Sequence, residues 1–497
     1  MKKTITNSLF IITFFSVLDR ALGFLFKIFM SRTIGAEGVG VYQIAFSFFS
    51  VLLSIVVGGI PLVVSKFVAR SHDALSKNKI TGSALLLALS VSIALIILFF
   101  ALYTPLSYAM GKVTVTLVLC MLPTLVFSSV YCSLRGYLWG NEKFFAVSIV
   151  EVIEQVSRIG ICIAMFLFGF SKLHSVAISL SIGSMTSAIA CFIFFCANHG
   201  KLKASRLDFL KVGKSSFPIT VSNLIGALSG SITALIVPKL FVWSGYTLSQ
   251  ANALLGSSVG MAMPLVYIPI TLVSSLAFVL IPKISNDLTS KNYLKINSSI
   301  TGAIKFACIV ACCLIPFFSA CGRLLCEVVY DNSQSGEFLS FIAFALLPLT
   351  VENITGSILN SLDMEMKNFV NGMIGYSMMW IVALVSIGNY SIFALGMGFA
   401  LSWTLSAILN IRCIIKKTGL SLSFIPFVLK NLILCAPTVL FAKNILGICK
   451  NFHPLLSLLI SGFTSVVFFA LLSFIFSSFS FTKITVKKKR KKSKTIA

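Results

Sequence analysis

Fourteen apolar stretches, each long enough to cross a lipid bilayer, follow one another along this sequence. A helix rises about 1.5 Å per residue, so about 20 apolar residues span a hydrocarbon core about 30 Å thick. The segments between the stretches are too short to hold a folded domain, and only 11% of the residues are charged. The sequence therefore predicts an all-α polytopic membrane protein with fourteen transmembrane helices. The stretches are residues 7–30, 38–65, 80–103, 113–134, 144–169, 174–197, 215–238, 251–281, 297–320, 338–361, 369–390, 392–412, 424–446 and 455–480.

The first stretch differs from a secretory signal. Asp19, Arg20 and Lys27 interrupt it, and no small-residue cleavage site follows it. A signal has an uninterrupted apolar region of about 7–15 residues and such a cleavage site. We therefore expect the first stretch to remain as a permanent span.

The chain has a formal net charge of +26, and its positive charges are distributed unevenly between the two sides of the membrane. With the N-terminus in the cytoplasm, 28 of the 40 Lys and Arg residues fall in predicted cytoplasmic segments, 7 in external segments and 5 within spans. Because cytoplasmic loops carry the excess of Lys and Arg, both termini are predicted to be cytoplasmic. The basic tail, residues 483–497, is expected to be attracted to anionic membrane lipid, and nucleic-acid binding is the weaker explanation.

An internal repeat is visible in two loops. The segment after the second span reads DALSKN at residues 73–78, and the segment after the eighth reads DLTSKN at 287–292. Six spans per copy would give parallel repeats, an architecture of transporters whose binding site lies between the halves. The predicted organisation is an N-lobe with spans 1–6 (residues 1–213), a C-lobe with spans 7–12 (214–420), spans 13–14 (421–482) and the tail (483–497).

The first span carries a cationic stripe. Arg20 and Lys27 are seven residues apart, which places them on one helix face about 10 Å apart along the axis. Asp19 points about 100° away and cannot neutralise both. In one interpretation, Asp19 pairs with a cation of another helix and Lys27 extends to the outer interface. In the other, the stripe lines a cavity that receives an anion.

The fifth span holds a second charge cluster. Glu151, Glu154 and Arg158 fall on one face, and Glu154 precedes Arg158 by four residues, a favourable spacing for an ion pair. Either this pair neutralises itself, or the face lines the same cavity and one carboxylate takes up H⁺ or Na⁺. Lys305 and Glu352 are single intramembrane charges that either pair with each other or face the cavity.

Glycines and prolines late in spans two and eight are candidate hinges. Gly58, Gly59 and Pro61 occupy the end of the second span, and Pro264 and Pro269 occupy the matching part of the eighth. Broken helices are tolerated in membranes where the freed backbone groups lie beside protein or a cavity.

Several motifs resemble those of the stage V sporulation protein B group of the multidrug/oligosaccharidyl-lipid/polysaccharide exporter superfamily. They are LDRALGFLFKIFMSRTIGAEGVGVYQIAFSF (18–48), SLRGYLWG (133–140), VIEQVSRI (152–159) and GMAMPLVYIPITLVSSLAFVLIPKIS (260–285). The resemblance implies a V-shaped bundle of two six-helix lobes with two appended helices. It also implies flipping of a polyprenyl-diphosphate-linked sugar, such as a peptidoglycan precursor, across the bacterial cytoplasmic membrane.

Arg20 and Lys27 match positions where the related lipid II flippases carry cavity arginines. Those flippases carry further arginines where this chain reads FFSVLLSIV (48–56) and GSSVGMAMPLVYIP (256–269). A less cationic cavity leaves other lipid-linked oligosaccharides, including other polysaccharide repeat units, open as cargo.

Two other classes of function are compatible with a chain of this kind. A drug/cation antiporter of the same fold would be expected to carry carboxylates rather than cations in its first lobe. A membrane-embedded glycosyl or polyprenyl transferase generally needs clustered Asp or His residues, and the sequence has no such cluster. We expect a transporter with no cofactor, no resident metal and no catalytic residues.

Overall fold

The computed structural model describes residues 2–71, 73–290 and 292–476. These residues form α-helices joined mostly by short turns. The predicted basic tail lies outside the described residues. The helices are α1 (Lys2–Val57), α2 (Ile60–Arg70), α3 (Ala74–Ala101), α4 (Tyr103–Met110), α5 (Lys112–Met121), α6 (Pro123–Gly140), α7 (Phe144–Leu167), α8 (Lys172–Ala197), α9 (Arg206–Trp243), α10 (Leu248–Leu255), a π-helix (Gly256–Ala262), α11 (Met263–Val266), α12 (Ile268–Thr289), α13 (Tyr293–Tyr330), α14 (Ser333–Ile342), α15 (Leu346–Ser361), α16 (Glu365–Tyr390), α17 (Ile392–Thr418), α18 (Ile425–Ile448) and α19 (Pro454–Ile475), with short 3₁₀ turns at Ala343–Ala345 and Cys449–Asn451.

The described parts of the fourteen predicted spans all fall in these helices or at the turns that join them. Within the described residues, twelve helical segments are long and apolar enough to cross a membrane. One of them, Val17–Arg70, contains the first predicted span from residue 17 onward and the whole of the second, and the two are separated by non-helical backbone at Gly35 (φ 68°, ψ 179°). The twelve do not include α7, which carries the charges of the fifth predicted span. The prediction of an all-α protein with fourteen spans is confirmed.

Small residues bring the helices of the first compact unit together. This unit comprises the described residues up to Leu265 with Cys326–Phe338 and Tyr376–Gly398. On α6, Gly136 and Gly140 lie so close to α2 that an added Cβ atom would be 2.7 Å from the Cβ of Val64 and of Val68, respectively. Membrane helices associate through such close packing because lipid supplies no hydrophobic drive between them.

The second compact unit has an aliphatic core. It comprises Val266–Leu325, Leu339–Gly375 and the described residues from Phe399 onward. Its fully buried side chains come from α12, α13, α15 and α17 and include Val273, Ile300, Ile304, Ile358 and Ile414. These boundaries differ from the predicted lobes, whose division at residue 214 stays a prediction.

The two copies of the loop motif are used differently. Asp73 caps α3, because its carboxylate accepts a hydrogen bond from the Ser76 backbone N–H at 3.1 Å. Asp287 instead lies inside α12, and Asn292 takes the capping position by accepting from the Lys295 N–H at 3.3 Å. The matching letters therefore occupy non-equivalent positions at their helix ends, and the duplication stays a prediction.

Candidate functional site

The charged face of α1 is regular helix. No break interrupts α1 between its N-terminal end and Gly35, so the predicted spacing of Arg20 and Lys27 along one stripe is retained. Both side chains are exposed, whereas Phe26 and Met30 are buried among neighbouring helices. Neither cation makes an ion pair with a described residue. Two charges of like sign are thus presented together on the unpacked side of a membrane helix.

Asp19 lies beside a neutral side chain. Gln155 of α7, Arg20 and Arg135 are near enough to act on its carboxylate electrostatically. Among the described residues, Asp19 makes no ion pair. Of the two interpretations of the first span, the one that pairs Asp19 with a cation of another helix therefore finds no ion pair here.

The ion pair of this region joins α6 to α7. The Arg135 Nη2 atom lies 2.5 Å from Glu151 Oε1, and the two side chains are 27% and 26% exposed. The Arg135 guanidinium also lies 4.1 Å from the ring centroid of Trp139 and 5.5 Å from that of Tyr131. The Tyr131 hydroxyl donates to the same carboxylate oxygen at 3.4 Å. Glu151 is thereby held by two side chains of α6.

Arg158 is oriented by aromatic residues of α1. It donates to the Tyr42 hydroxyl at 2.9 Å, and its guanidinium lies 4.7 Å from the centroid of the Phe26 ring. Tyr42 and Phe26 are only 5% and 3% exposed, so their positions are fixed by packing. Within the described residues, Arg158 makes no ion pair with Glu154. Of the two alternatives for this face, the self-neutralising pair is absent from the described residues, because Arg158 turns toward α1.

Glu154 turns in a different direction. Ser187 of α8 and Arg158 are both near enough to act on its carboxylate electrostatically. The helices are close here, since a Cβ atom added to Gly183 of α8 would lie 3.1 Å from the Cβ of Arg158. Glu154 is therefore a half-buried carboxylate beside a hydroxyl, and it makes no ion pair with a described residue.

The six predicted residues thus form two groups, one that lies where the helices pack and one that is exposed. The structure brings Asp19, Glu151, Glu154 and Arg158 together where α1, α6, α7 and α8 pack. Glu151 is hydrogen-bonded to side chains of α6, and Arg158 to a side chain of α1. Arg20 and Lys27 lie on the same helix as Asp19 but remain exposed. The positive charge available to an anion is consequently on α1.

The two single charges of the second unit do not pair. The Lys305 Nζ atom lies 5.2 Å from the ring centroid of Phe427 on α18. Within the described residues, Glu352 on α15 makes no ion pair. Of the two alternatives for these residues, pairing with each other is excluded.

Both sets of candidate hinge residues coincide with interruptions of helix. Helix α1 ends at Val57 and α2 begins at Ile60, with Pro61 in its first turn. The Gly59 N–H donates to Thr220 Oγ1 at 3.1 Å, and Asn223 Nδ2 donates to the Gly58 carbonyl at 2.8 Å. Side chains of α9 therefore satisfy backbone groups that the interruption leaves free. Their role as hinges stays a prediction.

The eighth span is interrupted in a different manner. A π-helix at Gly256–Ala262 precedes the single turn α11, which contains Pro264, and α12 begins beside Pro269. π-Helical turns are rare and occur frequently at functional sites.

Comparison with protein families identifies the family of the chain. The family described as polysaccharide biosynthesis protein matches residues 5–286, which is more than half of the chain. The chain belongs to this family. The charged cluster of α1, α6 and α7 and both interruptions lie within the matched part.

Two proteins of Bacillus subtilis (strain 168) are similar in sequence. The chain is 25% identical to Stage V sporulation protein B over 395 residues, covering 75% of this chain and 76% of that protein. It is 24% identical to Lipid II flippase MurJ over 345 residues, covering 60% of this chain and 61% of that protein. The expected resemblance is confirmed.

Solved structures show the same fold. Lipid II flippase MurJ in an inward closed conformation superposes with a TM-score of 0.70 at 15% identity, covering 94% of this chain and 98% of that one. An inward-facing multidrug resistance MATE family transporter of the MOP superfamily also gives 0.70 at 14% identity, covering 81% and 95%. The family member described here therefore has the helical fold of that exporter superfamily.

The sequence prediction did not include Arg135 in the charged cluster. It counted Arg135 among the cations of the cytoplasmic segments, since the fourth predicted span ends at residue 134, whereas Arg135 lies within α6, five residues before its end. The motif SLRGYLWG contains the signal, since Arg135 and Trp139 are one helical turn apart. Tyr42 and Gln155 are uncharged residues on faces of α1 and α7, and only the packing of these helices identifies them.

Proposed function

We propose that this chain moves a polyprenyl-diphosphate-linked sugar across the bacterial cytoplasmic membrane by alternating access, with both termini in the cytoplasm. The observation that carries this function is the pair of exposed cations, Arg20 and Lys27, on one face of a membrane helix. Relatives named as a sporulation protein and a lipid II flippase support the same class of transport.

A diphosphate matches this pair chemically. A cation at the centre of a membrane-spanning helix costs about 2.5–3.5 kcal/mol on insertion scales, so retention of two in one span requires a compensating partner. Arginine can form two parallel charge-assisted hydrogen bonds to a phosphate, whereas lysine acts as a compact point charge. A separation of about 10 Å along the helix suits an extended anion that passes from one cation to the other.

The contacts of the acidic residues indicate which carboxylate is suited to bind a coupling ion. Glu151 is engaged by Arg135, and Asp19 lies beside Gln155 with Arg20 and Arg135 nearby. Glu154 makes no ion pair with a described residue and lies near the Ser187 hydroxyl, a group that can donate to a carboxylate or accept from a protonated one. We infer that any coupling to H⁺ or Na⁺ in this cluster uses Glu154.

Helices α18 and α19 are suited to the lipid part of the cargo. They pack together and carry many exposed apolar side chains, including Ile433, Leu440, Phe463 and Phe474. An isoprenoid chain lying along them would remain in an apolar environment.

The test is a reconstitution of the purified chain in liposomes with fluorescent lipid-linked sugars of several kinds. We expect the label to become accessible in the opposite leaflet with at least one of these cargoes. Arg20→Ala should abolish this, while Lys66→Ala, which removes an exposed cation of α2, should leave it unchanged. Export of organic cations with no movement of any lipid-linked sugar would establish the drug antiporter instead.

A further inference from the structure

The first unit contains a cavity apart from the charged face of α1. Its volume is about 1090 Å³, and it is lined by the α1 segment around Gly38, the start of α5, the start of α8, the end of α9 and the start of α10. Arg20, Lys27 and the acidic residues of the cluster do not line it. This cavity is therefore a separate candidate for a binding site.

Two helix N-termini open onto the cavity without a side-chain cap. Helix α5 begins at Lys112 after Gly111, and α8 begins at Lys172 after Ser171. The Ser171 hydroxyl is engaged by the His174 ring at 3.0 Å and caps no backbone group. The first N–H groups of both helices consequently have no side-chain cap and carry partial positive charge.

Lysines strengthen this positive end. Lys112 and Lys172 are each the first residue of their helix, where the helix dipole disfavours a cation. Lys239 of α9 also lines the cavity, and Glu37 is the one acidic residue among the lining residues. Three of the seven cations predicted to be external thus meet in one place. None of the three makes an ion pair with a described residue.

Asn252 supplies an independent observation. It lines the cavity from α10, it is 7% exposed, and its side-chain oxygen has no hydrogen-bonding partner in the described part of the chain. A buried polar atom left without a partner costs free energy, so such atoms call for a ligand or water.

We propose that this cavity binds a phosphate ester whose neighbouring group donates a hydrogen bond. The phosphate lies against the uncapped starts of α5 and α8 with Lys112 and Lys172, and a hydroxyl or amine donates to Asn252. The apolar lining side chains, among them Ile34, Leu235 and Val242, accommodate an attached hydrocarbon. The same chemistry is offered by an anionic lipid headgroup and by a soluble phosphate ester. This site does not depend on the flippase function.

Two binding measurements on the purified full-length chain separate these sources. In detergent, glycerol 3-phosphate is titrated and the heat of binding is recorded. In nanodiscs made with phosphatidylglycerol or with phosphatidylcholine alone, native mass spectrometry records the lipid that stays bound. Binding of phosphatidylglycerol alone identifies a lipid headgroup, and binding of glycerol 3-phosphate as well identifies a site open to soluble esters.

Variants of the lining residues test whether the measured binding occurs in the cavity. We expect Lys112→Gln with Lys172→Gln, and separately Asn252→Asp, to weaken binding by about tenfold or more, because charge-assisted hydrogen bonds are lost or opposed. Lys172→Arg should retain binding. Lys443→Gln removes an exposed cation of α18 outside the cavity and should change nothing. Absence of any binding, or equal loss in the Lys443 variant, would overturn the assignment, and the thermal unfolding midpoint shows that each variant is folded.

Discussion

Arg135 and Glu151 join α6 to α7 through an ion pair of 2.5 Å between Nη2 and Oε1. The pair is about three-quarters buried on both sides, and Trp139 and Tyr131 cover the guanidinium. A guanidinium and a carboxylate that pair at this distance under two aromatic rings are poorly placed to release and rebind a moving substrate. We therefore interpret this pair as part of the scaffold that fixes α7 beside α1.

Removal of one member of this pair should destabilise the protein. Because some solvent reaches both side chains, we expect Glu151→Gln to lower the free energy of unfolding by about 1–3 kcal/mol, less than the loss of a partner from a fully buried pair. The exchange Arg135→Glu with Glu151→Arg should recover part of that loss. Thermal unfolding in detergent measures both, and Arg206→Gln, an exposed cation, is the control. An exchange less stable than either single variant contradicts this interpretation.

The corresponding exchange on α7 should behave differently. Glu154→Arg with Arg158→Glu removes the hydrogen bond to Tyr42 and the contact with Phe26, and no direct pair exists to be reversed. We expect the double variant to be as inactive in complementation as Arg158→Ala, with the protein still in the membrane. Recovery of activity by this exchange would mean that the two residues act as a pair during transport.

The interruption between α1 and α2 permits a prediction about a single hydrogen bond. Thr220→Val removes the acceptor of the Gly59 N–H, and an unpaired backbone group inside a span costs about 1–3 kcal/mol. Thr220→Ser keeps the hydroxyl and should be near wild type in thermal unfolding and in transport. Equal behaviour of the two variants would show that α9 does not support this interruption.

The sequence predicts the spans, the interruptions and the shared face of Arg20 and Lys27, because these depend on local properties. Apolar length, glycine and proline positions and the helical repeat are readable within about 20 residues. The choice of ionic partners is not local. Glu154 and Arg158 have the favourable four-residue spacing, yet Arg158 donates to Tyr42 of α1 and Glu154 lies beside Ser187 of α8. A spacing rule for isolated helices cannot include those contacts.

The cavity lined by Lys112, Lys172 and Lys239 could not be predicted from the sequence for the same reason. Lys112, Lys172 and Lys239 lie in three different segments of the sequence, where each reads as an ordinary loop or helix-end cation. Their convergence requires the starts of α5 and α8 to meet the end of α9. Asn252 gives no sequence signal, since its significance lies in a side-chain oxygen that packing leaves without a partner.

The predicted orientation is testable by thiol labelling in a variant without native cysteines. Lys203→Cys, between α8 and α9, should react with an impermeant reagent only from the cytoplasmic side. Ser333→Cys, at the start of α14, should react only from outside. The excess of cations in the predicted cytoplasmic loops is the physical reason. Labelling of both positions from the same side would mean that the predicted number of spans between them is wrong by an odd number.

The two exposed cations of α1 should differ in their tolerance of substitution. We expect Arg20→Ala to abolish transport and Arg20→Lys to weaken it, because lysine keeps the charge but loses the bidentate geometry toward phosphate. Lys27→Arg should be tolerated, and Lys27→Ala should be milder than Arg20→Ala, since a lysine seven residues nearer the external end can also extend to the interface. Complementation of a strain that lacks its own flippase measures activity, with membrane levels compared by immunoblot. Full activity of Arg20→Ala would exclude this residue as the phosphate ligand and leave Lys27 without a partner in cargo binding.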